Sequence, residues 1–317
     1  MDITAHSTAE MPPEGRAAEW TRVIAETYFP LHLTFAQSDT FTGRLDRRVM
    51  GQVSLSRLAT APLQYERQGQ HIAHIQDEEY LVTVPHLAPV DFKQLGREVR
   101  VAPGGFLIER ADEPYRFSYK DPNDLSVLKI SRRALAEKLR DPDRFCASAI
   151  DASSGLPALF TSMLVQLQSL HLNQGHAAAI LGRQIVDVLA LALDERAEQD
   201  DAAMSPVRAG HLRRAERTVR QNLANPLLSP GFVADICGIS KRYLHELFGD
   251  TDRTAAQFIR EERLIAARDM IASTRGIALA EIAYRFGFSD QAQFSRLFKA
   301  QFGMTPSEWR RLGASAA

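Results

Sequence analysis

Phe232-Val233-Ala234-Asp235-Ile236-Cys237-Gly238-Ile239-Ser240 and Glu281-Ile282-Ala283-Tyr284-Arg285-Phe286-Gly287-Phe288-Ser289 are two copies of one short pattern in this 317-residue chain. In both, Ala and Gly stand four apart and are followed by an apolar residue and Ser. A small Ala lets two helices approach closely. Gly238 and Gly287 fall where the chain leaves the first helix in a left-handed turn, a conformation cheap for glycine and costly for a residue with a Cβ. Ser240 and Ser289 are expected to cap the next helix by accepting from its free amides. The spacing predicts two helix-turn-helix units, whose second helices cover residues 241–248 and 290–299.

Within those helices Leu244, Leu247 and Phe248, and then Phe294, Leu297 and Phe298, are placed for burial. Lys241, Arg242, His245 and Glu246 remain for the outer face of the first, and Gln291, Gln293, Ser295, Arg296 and Lys299 for that of the second. A solvated polar face is the plain reading of either helix alone. Gln and Arg, however, form bidentate hydrogen bonds with base edges, and two copies in one small region point to double-stranded DNA. Between the copies, residues 254–274 carry Phe258, Ile259, Leu264, Ala267, Met270 and Ile271 at helical spacing. A helix of this length, about 28 Å, approaches the ~34 Å between successive major-groove faces and reads as a spacer. Thr305-Pro306-Ser307-Glu308 is a capping box that starts a closing helix.

The region from 207 to 317 resembles the DNA-binding domain of the AraC/XylS family of bacterial transcription regulators. The matching residues include Ser240 to Phe248, Arg263-Leu264 with Ala267, Gly287-Phe288-Ser289, Phe294-Ser295-Arg296 and Phe302-Gly303-Met304-Thr305-Pro306. The resemblance implies base contacts from Arg242, His245 and Glu246 in the first unit, and from Gln291, Ala292, Ser295 and Arg296 in the second. Glu246 departs from the basic or amide residue common in the family. It either accepts from cytosine or leaves the first unit the weaker reader.

Charge divides along the chain. Residues 206–317 hold 17 Lys and Arg against 11 Asp and Glu, a net of +6, and the remaining 21 against 28 give −7 for residues 1–205. That asymmetry fits one domain that meets phosphates and one that does not. Two cysteines, Cys146 and Cys237, are too few for a disulfide framework or a four-cysteine zinc site. Cys237 reads as a buried thiol and Cys146 as either inert or a redox sensor. With neither a long apolar run nor a basic apolar leader noticeable, a cytoplasmic protein with no membrane partner is expected.

The N-terminal part is read as a tail and helix over residues 1–40, with a loose tail to 15 and a helix over 16–26. A second domain, 41–198, and a polar linker, 199–206, follow. Short alternating runs at 49–57, 80–84, 90–94, 98–101, 106–109, 115–119 and 125–130 predict an antiparallel β-barrel or jelly roll. Gln94-Leu95-Gly96-Arg97 and Val101-Ala102-Pro103-Gly104-Gly105-Phe106 resemble the cupin-like sensing domain of AraC/XylS regulators. The whole is thus α+β, with a cupin-like barrel, a helical pair and a C-terminal all-α domain.

A barrel of this size can hold one small molecule. Tyr65, Tyr80, Phe92, Phe106, Tyr115 and Phe117 are candidates to line it, with Arg67, His71 and Arg97 as polar anchors, although each aromatic also has a plain role in a core. His71-x-x-His74, Glu78, Glu79 and His86 are the nearest approach to a metal set, but residues three apart on a strand face opposite ways, so no metal and no cofactor are expected. Residues 156–172 and 177–198 read as a helical pair, either a homodimer interface or intrachain cover. No nucleophile-base pair, Walker loop or dinucleotide motif is visible, so no catalytic residue is assigned. The resemblance implies an effector-responsive activator with RNA polymerase as a partner. A cupin-type enzyme fused to a DNA-binding module and an effector-independent architectural protein are the alternatives.

Overall fold

A computed structural model describes residues 3–72, 78–139, 141–170, 175–203, 206–249, 253–274 and 276–314. The chain divides into two compact units, Met1–Ala197 and Glu198–Ala317. The first contains β1 (Ile3–Ser7), α1 (Pro13–Thr27), β2 (His32–Phe35), β3 (Gly43–Met50), β4 (Val53–Thr60), β5 (Leu63–Arg67), β6 (Glu79–Pro85), β7 (Val90–Gln94), β8 (Arg97–Val101), β9 (Gly105–Arg110), β10 (Tyr115–Ser118), β11 (Asn123–Ser131), α2 (Arg132–Ala136), β12 (Ala149–Asp151), α3 (Gly155–Ser169) and α4 (Gly175–Ala203), which runs on past Ala197. The residues expected as the start of a linker, 199–203, therefore continue a helix.

The strands form two antiparallel sheets, one of seven strands in the order β1-β3-β4-β11-β6-β9-β12 and one of five in the order β2-β5-β10-β7-β8. They face each other as separate sheets rather than closing into one barrel. The pleat sends alternate residues to opposite sides. Tyr80, Val82, Phe106, Ile108, Leu128 and Ile130 face Phe160 and Leu164 of α3 and Ile185, Leu189 and Leu193 of α4. Leu81, Leu107, Leu125 and Val127 face the five-stranded sheet at Tyr65, Val90, Phe92 and Phe117, with Trp20, Val23 and Ile24 of α1 closing the layer. The seven-stranded sheet is consequently buried on both sides.

Several expectations change here. Residues 49–57 are not one strand: Met50 pairs with Val53 across a two-residue turn in which Gly51 takes φ 69°, as a tight hairpin requires. The supposed loose tail contributes β1, which pairs along β3. Arg48 Nη1 donates to the carbonyl of Leu170 beyond the end of α3. Most apolar residues of the helical pair cover the sheet, while Leu159 and Leu191 stay 52% and 53% exposed on the outside. Residues 175–197 are long and apolar enough to cross a membrane by length and composition, which the sequence reading did not anticipate. Their buried side is the cover over the seven-stranded sheet.

The second unit is helical: α5 (Pro206–Gln221), α6 (Pro230–Cys237), α7 (Lys241–Gly249), α8 (Ala255–Ser273), α9 (Leu279–Arg285), α10 (Gln291–Phe302) and α11 (Pro306–Ala314). α5 was not anticipated. Its Ala215 and Val219, with Leu212 beside them, complete the core under α6 and α7. α8 starts from the reciprocal Thr254–Gln257 capping box, and α11 from Thr305 and Glu308, whose carboxylate accepts from the Thr305 amide at 2.7 Å. Both boxes satisfy amides that a helix start leaves without partners.

Two outcomes follow from this packing. A Cβ on Gly182 of α4 would overlap the Met50 carbonyl oxygen in the β3–β4 turn. Gly182→Ala should therefore destabilise the fold by about 1–3 kcal/mol in urea unfolding despite alanine's better helix propensity. Gly175→Ala, at an open position of the same helix, should not, and equal effects of the two would refute the close approach. Glu109 on β9 is 4% exposed, and burial raises its carboxyl from 4.5 to about 7 although the Thr83 hydroxyl opposes the shift. The folded state favours the neutral acid, so stability is full below pH 4.5 and falls as pH rises through about 7. Glu109→Gln should unfold with the wild type at pH 4.5 and be more stable by roughly 3 kcal/mol at pH 8, and parallel stability curves would contradict it.

Candidate nucleic-acid interface and effector cavity

Each helix-turn-helix turn is closed by the same two hydrogen bonds. Ile239 N donates to Ala234 O at 3.0 Å and Gly238 N to Asp235 O at 3.1 Å; Phe288 N donates to Ala283 O at 2.9 Å and Gly287 N to Tyr284 O at 3.0 Å. This is the Schellman arrangement, and it needs a left-handed residue between. Gly238 and Gly287 supply it with φ 68° and 74°. Ala234 and Ala283 are buried, leaving room for the crossing helix.

The caps of the second helices differ. Ser240 Oγ accepts from Tyr243 N at 3.1 Å, as expected. In the second unit Asp290, not Ser289, is the cap: its carboxylate oxygens accept from Ala292 N at 3.0 Å and Gln293 N at 3.1 Å. The carboxylate also suits the positive end of the helix dipole. This restores one spacing in both copies, since Ser240 precedes buried Leu244 by the same four residues as Asp290 precedes buried Phe294.

On α7, Leu244, Leu247 and Phe248 are buried while Lys241, Arg242, His245 and Glu246 are exposed. Among them, Arg242 Nε donates to Glu246 Oε1 at 3.1 Å, one turn along the helix. On α10, Phe294, Phe298 and Phe302 are buried; Gln291, Ala292, Gln293, Arg296 and Lys299 are exposed, and Ser295 and Leu297 are half-buried. The buried rings form a chain, Phe288–Phe294–Phe298–Phe302, with centroids 5.0, 5.5 and 4.6 Å apart, ending on Trp309 of α11. Lys241, His245, Arg296 and Lys299 make no side-chain hydrogen bond or close ion pair among the described residues, and Lys299 acts on the Glu308 carboxylate only through its charge. One polar face is therefore partly engaged with itself, and the other is open.

Arg263, in the middle of α8, links the two helix-turn-helix units. Its Nε donates to Leu223 O at 3.2 Å and its Nη2 to Asn225 O at 2.8 Å, in the loop between α5 and α6. The same guanidinium lies against Gly287, where a Cβ would come within 2.6 Å of it. Burial lowers the Arg263 pKa, and the two carbonyls satisfy donors withdrawn from water. The sequence marked Arg263 only through family likeness.

In the first unit a cavity of about 390 Å³, its mouth included, lies between the sheets, lined by Ile24, Tyr28, Leu31, Leu58, Tyr65, Leu81, Thr83, Glu109, Tyr115, Phe117, Leu125 and Val127. Of the candidates named from sequence, Tyr65, Tyr115 and Phe117 line it. Phe92 packs behind Tyr115 and Phe117, at 5.7 and 6.3 Å. Tyr80 and Phe106 face α3 and α4 instead, because their pleat positions point to the other side of the sheet. Arg67 is 1% exposed and stacked on Phe29 at 3.8 Å. It donates to Ala111 O and Pro30 O at 2.8 Å each, so it ties the fold together rather than lining the cavity. His71 accepts from Gln68 N at 3.1 Å, and Arg97 donates to Cys146 O at 2.9 Å. Tyr28, Thr83 and Glu109 went unnoticed in the sequence, the last because an acidic residue in a strand reads as solvent-facing.

His86 Nε2 lies 2.7 Å from Ser126 Oγ, and His74 falls outside the described residues. Among the described residues, three or more His, Cys, Asp or Glu side chains come together nowhere as a metal set would. Cys146 is buried, which pushes its thiol well above the usual range and disfavours the reactive thiolate.

Comparison with known proteins accords with both units. Residues 20–194 match the AraC-binding-like domain, and residues 233–312 match a helix-turn-helix domain. The transcriptional activator NphR of a Rhodococcus species is 27% identical over 302 residues, covering 94% of this chain and 89% of that protein. The transcriptional activator RhrA of Rhizobium meliloti (strain 1021) is 35% identical over 121 residues, 37% of this chain and 38% of that protein. The crystal structure of the AraC-like transcriptional activator CuxR shares the fold, with a TM-score of 0.52 at 20% identity over 84% of this chain and 96% of that one. The chain belongs to the AraC family of effector-responsive, DNA-binding transcription regulators, with an AraC-binding-like domain ahead of two helix-turn-helix units.

Proposed function

We propose that this regulator acts as an activator: an effector enters the cavity between the two sheets, and a homodimer then presents α7 and α10 of each copy to successive major-groove faces of its promoter. The outward polar face of α10, above all the unpaired Arg296, carries the reading. Bases are contacted from Arg242 and His245 on α7, where Glu246 restrains Arg242 at 3.1 Å, and from Gln291, Ala292, Gln293, Ser295 and Arg296 on α10, while Lys241 and Lys299 meet phosphates. Two observations support the spacing. α8 has 19 residues, about 28 Å, against ~34 Å for one turn of duplex, and Arg263 holds both units to that helix. The exposed leucines of the helical pair, Leu159 on α3, Leu170 just past its end and Leu191 on α4, form the dimer contact. RNA polymerase is the partner at the promoter, and the protein works in the cytoplasm. We assign no catalytic step to it.

The experiment is a binding series on a DNA sequence selected from a random pool by the purified protein. Arg296→Ala should weaken binding to that sequence by roughly tenfold to a hundredfold, as the loss of one bidentate base contact implies. Helicity and the weak, salt-sensitive binding to unrelated DNA should persist. Undiminished affinity would remove α10 as a reader. Glu246→Gln should act in the opposite direction, because the Arg242 guanidinium that Glu246 holds at 3.1 Å is released to the DNA and one negative charge leaves the interface. Affinity at low salt is expected to rise severalfold for every sequence tested. A loss of discrimination at one C·G pair would instead make Glu246 a direct reader of cytosine.

A further inference from the structure

We propose that the cavity between the sheets takes a single-ring aromatic amine in its ammonium form, with the ring between Tyr65, Tyr115 and Phe117 and the ammonium on the Glu109 carboxylate. This deepens, and rests on, the reading of the cavity as the effector site. The argument starts from charge. Among the described residues Glu109 is the only acidic or basic one in the lining, and the other wall residues are aliphatic, aromatic or threonine. Among the described residues the Glu109 carboxylate has one hydrogen bond, from the Thr83 hydroxyl, which donates to Oε1 at 2.6 Å, and no cation pairs with it.

The basic residues nearest this layer are engaged elsewhere or stand outside the lining. Arg67 stands outside the lining and donates to two backbone carbonyls from Nε and Nη1, its Nη2 being buried without a hydrogen-bond partner; Lys129 pairs with Glu79 at 2.8 Å, and Arg47 acts on Tyr28 from outside the lining. A buried carboxylate with a single neutral donor is costly to ionise. A ligand ammonium supplies the missing counter-charge through a charge-assisted hydrogen bond, and the surrounding tyrosine and phenylalanine faces add cation–π attraction. A ligand carboxylate would meet Glu109 as a like charge. The lining suits one ring and a short chain: three aromatic rings, Tyr65, Tyr115 and Phe117, stand among aliphatic side chains, with the carboxylate on one wall.

The test is calorimetric titration of the full chain with three probes of nearly equal shape: 2-phenylethylamine, 2-phenylethanol and phenylacetate. The amine should bind at least tenfold more tightly than the alcohol, and phenylacetate most weakly. Glu109→Gln should erase the amine's advantage and leave the alcohol's affinity unchanged. Equal or tighter binding of the alcohol or of phenylacetate, or an amine affinity that survives Glu109→Gln, overturns the ammonium assignment while leaving the cavity as the effector site. Leu125→Phe, which fills the cavity from its apolar wall, should weaken all three probes. Amine binding unaffected by Leu125→Phe, or no binding by any probe, overturns the effector reading of the cavity and the ammonium assignment with it.

Discussion

A sheet covered on both faces governs the sensing unit. The seven-stranded sheet has α3 and α4 on one side and the five-stranded sheet on the other, so each of its side chains is committed by pleat position to one of two separate cores. Only one of those cores contains the cavity. A single step along β9 moves from Ile108, under the helices, to Glu109, between the sheets. The open sheets are held together at their margins by buried polar residues: Arg67 bridges to Ala111 and Pro30, and the side-chain amide of Gln94 donates to Arg110 O at 2.8 Å and accepts from Arg110 N at 3.0 Å. These contacts satisfy backbone groups that would otherwise be stranded in an apolar layer.

The same constraint explains what the sequence revealed and what it concealed. Strands with two covered faces read as near-continuous apolar runs; β6 and β9 are buried along almost their whole length, so their existence was legible but the side faced by Tyr80 or Phe106 was not. β1 and β2, at the outer edges of the two sheets, and the three-residue β12 are too short or too polar to stand out. The helix-turn-helix units were legible almost residue by residue, because a left-handed glycine, a small helix-crossing residue and a cap are local demands that leave local marks. Even there Asp290 displaced Ser289 as the cap, since either residue type can serve and only the position of the first amides decides between them.

Long-range contacts were the least legible. Nothing in the local pattern announces that Arg263 reaches the carbonyls of Leu223 and Asn225, or that Glu109 stands without a cation in an apolar layer. Both depend on segments far apart in the chain. The fold was therefore predictable from repetition and period, whereas the cavity's polar group and the tie between the two helix-turn-helix units required coordinates.

That tie has a consequence for the genome rather than for the protein. With Gly287 pressed against Arg263, and Arg263 fastened to the loop of the other unit, the domain is a ruler of fixed length. In the proposed reading, its targets are constrained in phase as well as in letters. Since a duplex turns once in about 10.5 base pairs, five inserted between the two boxes of a promoter would carry one of them to the far side of the helix, and an intact pair of boxes would go unrecognised.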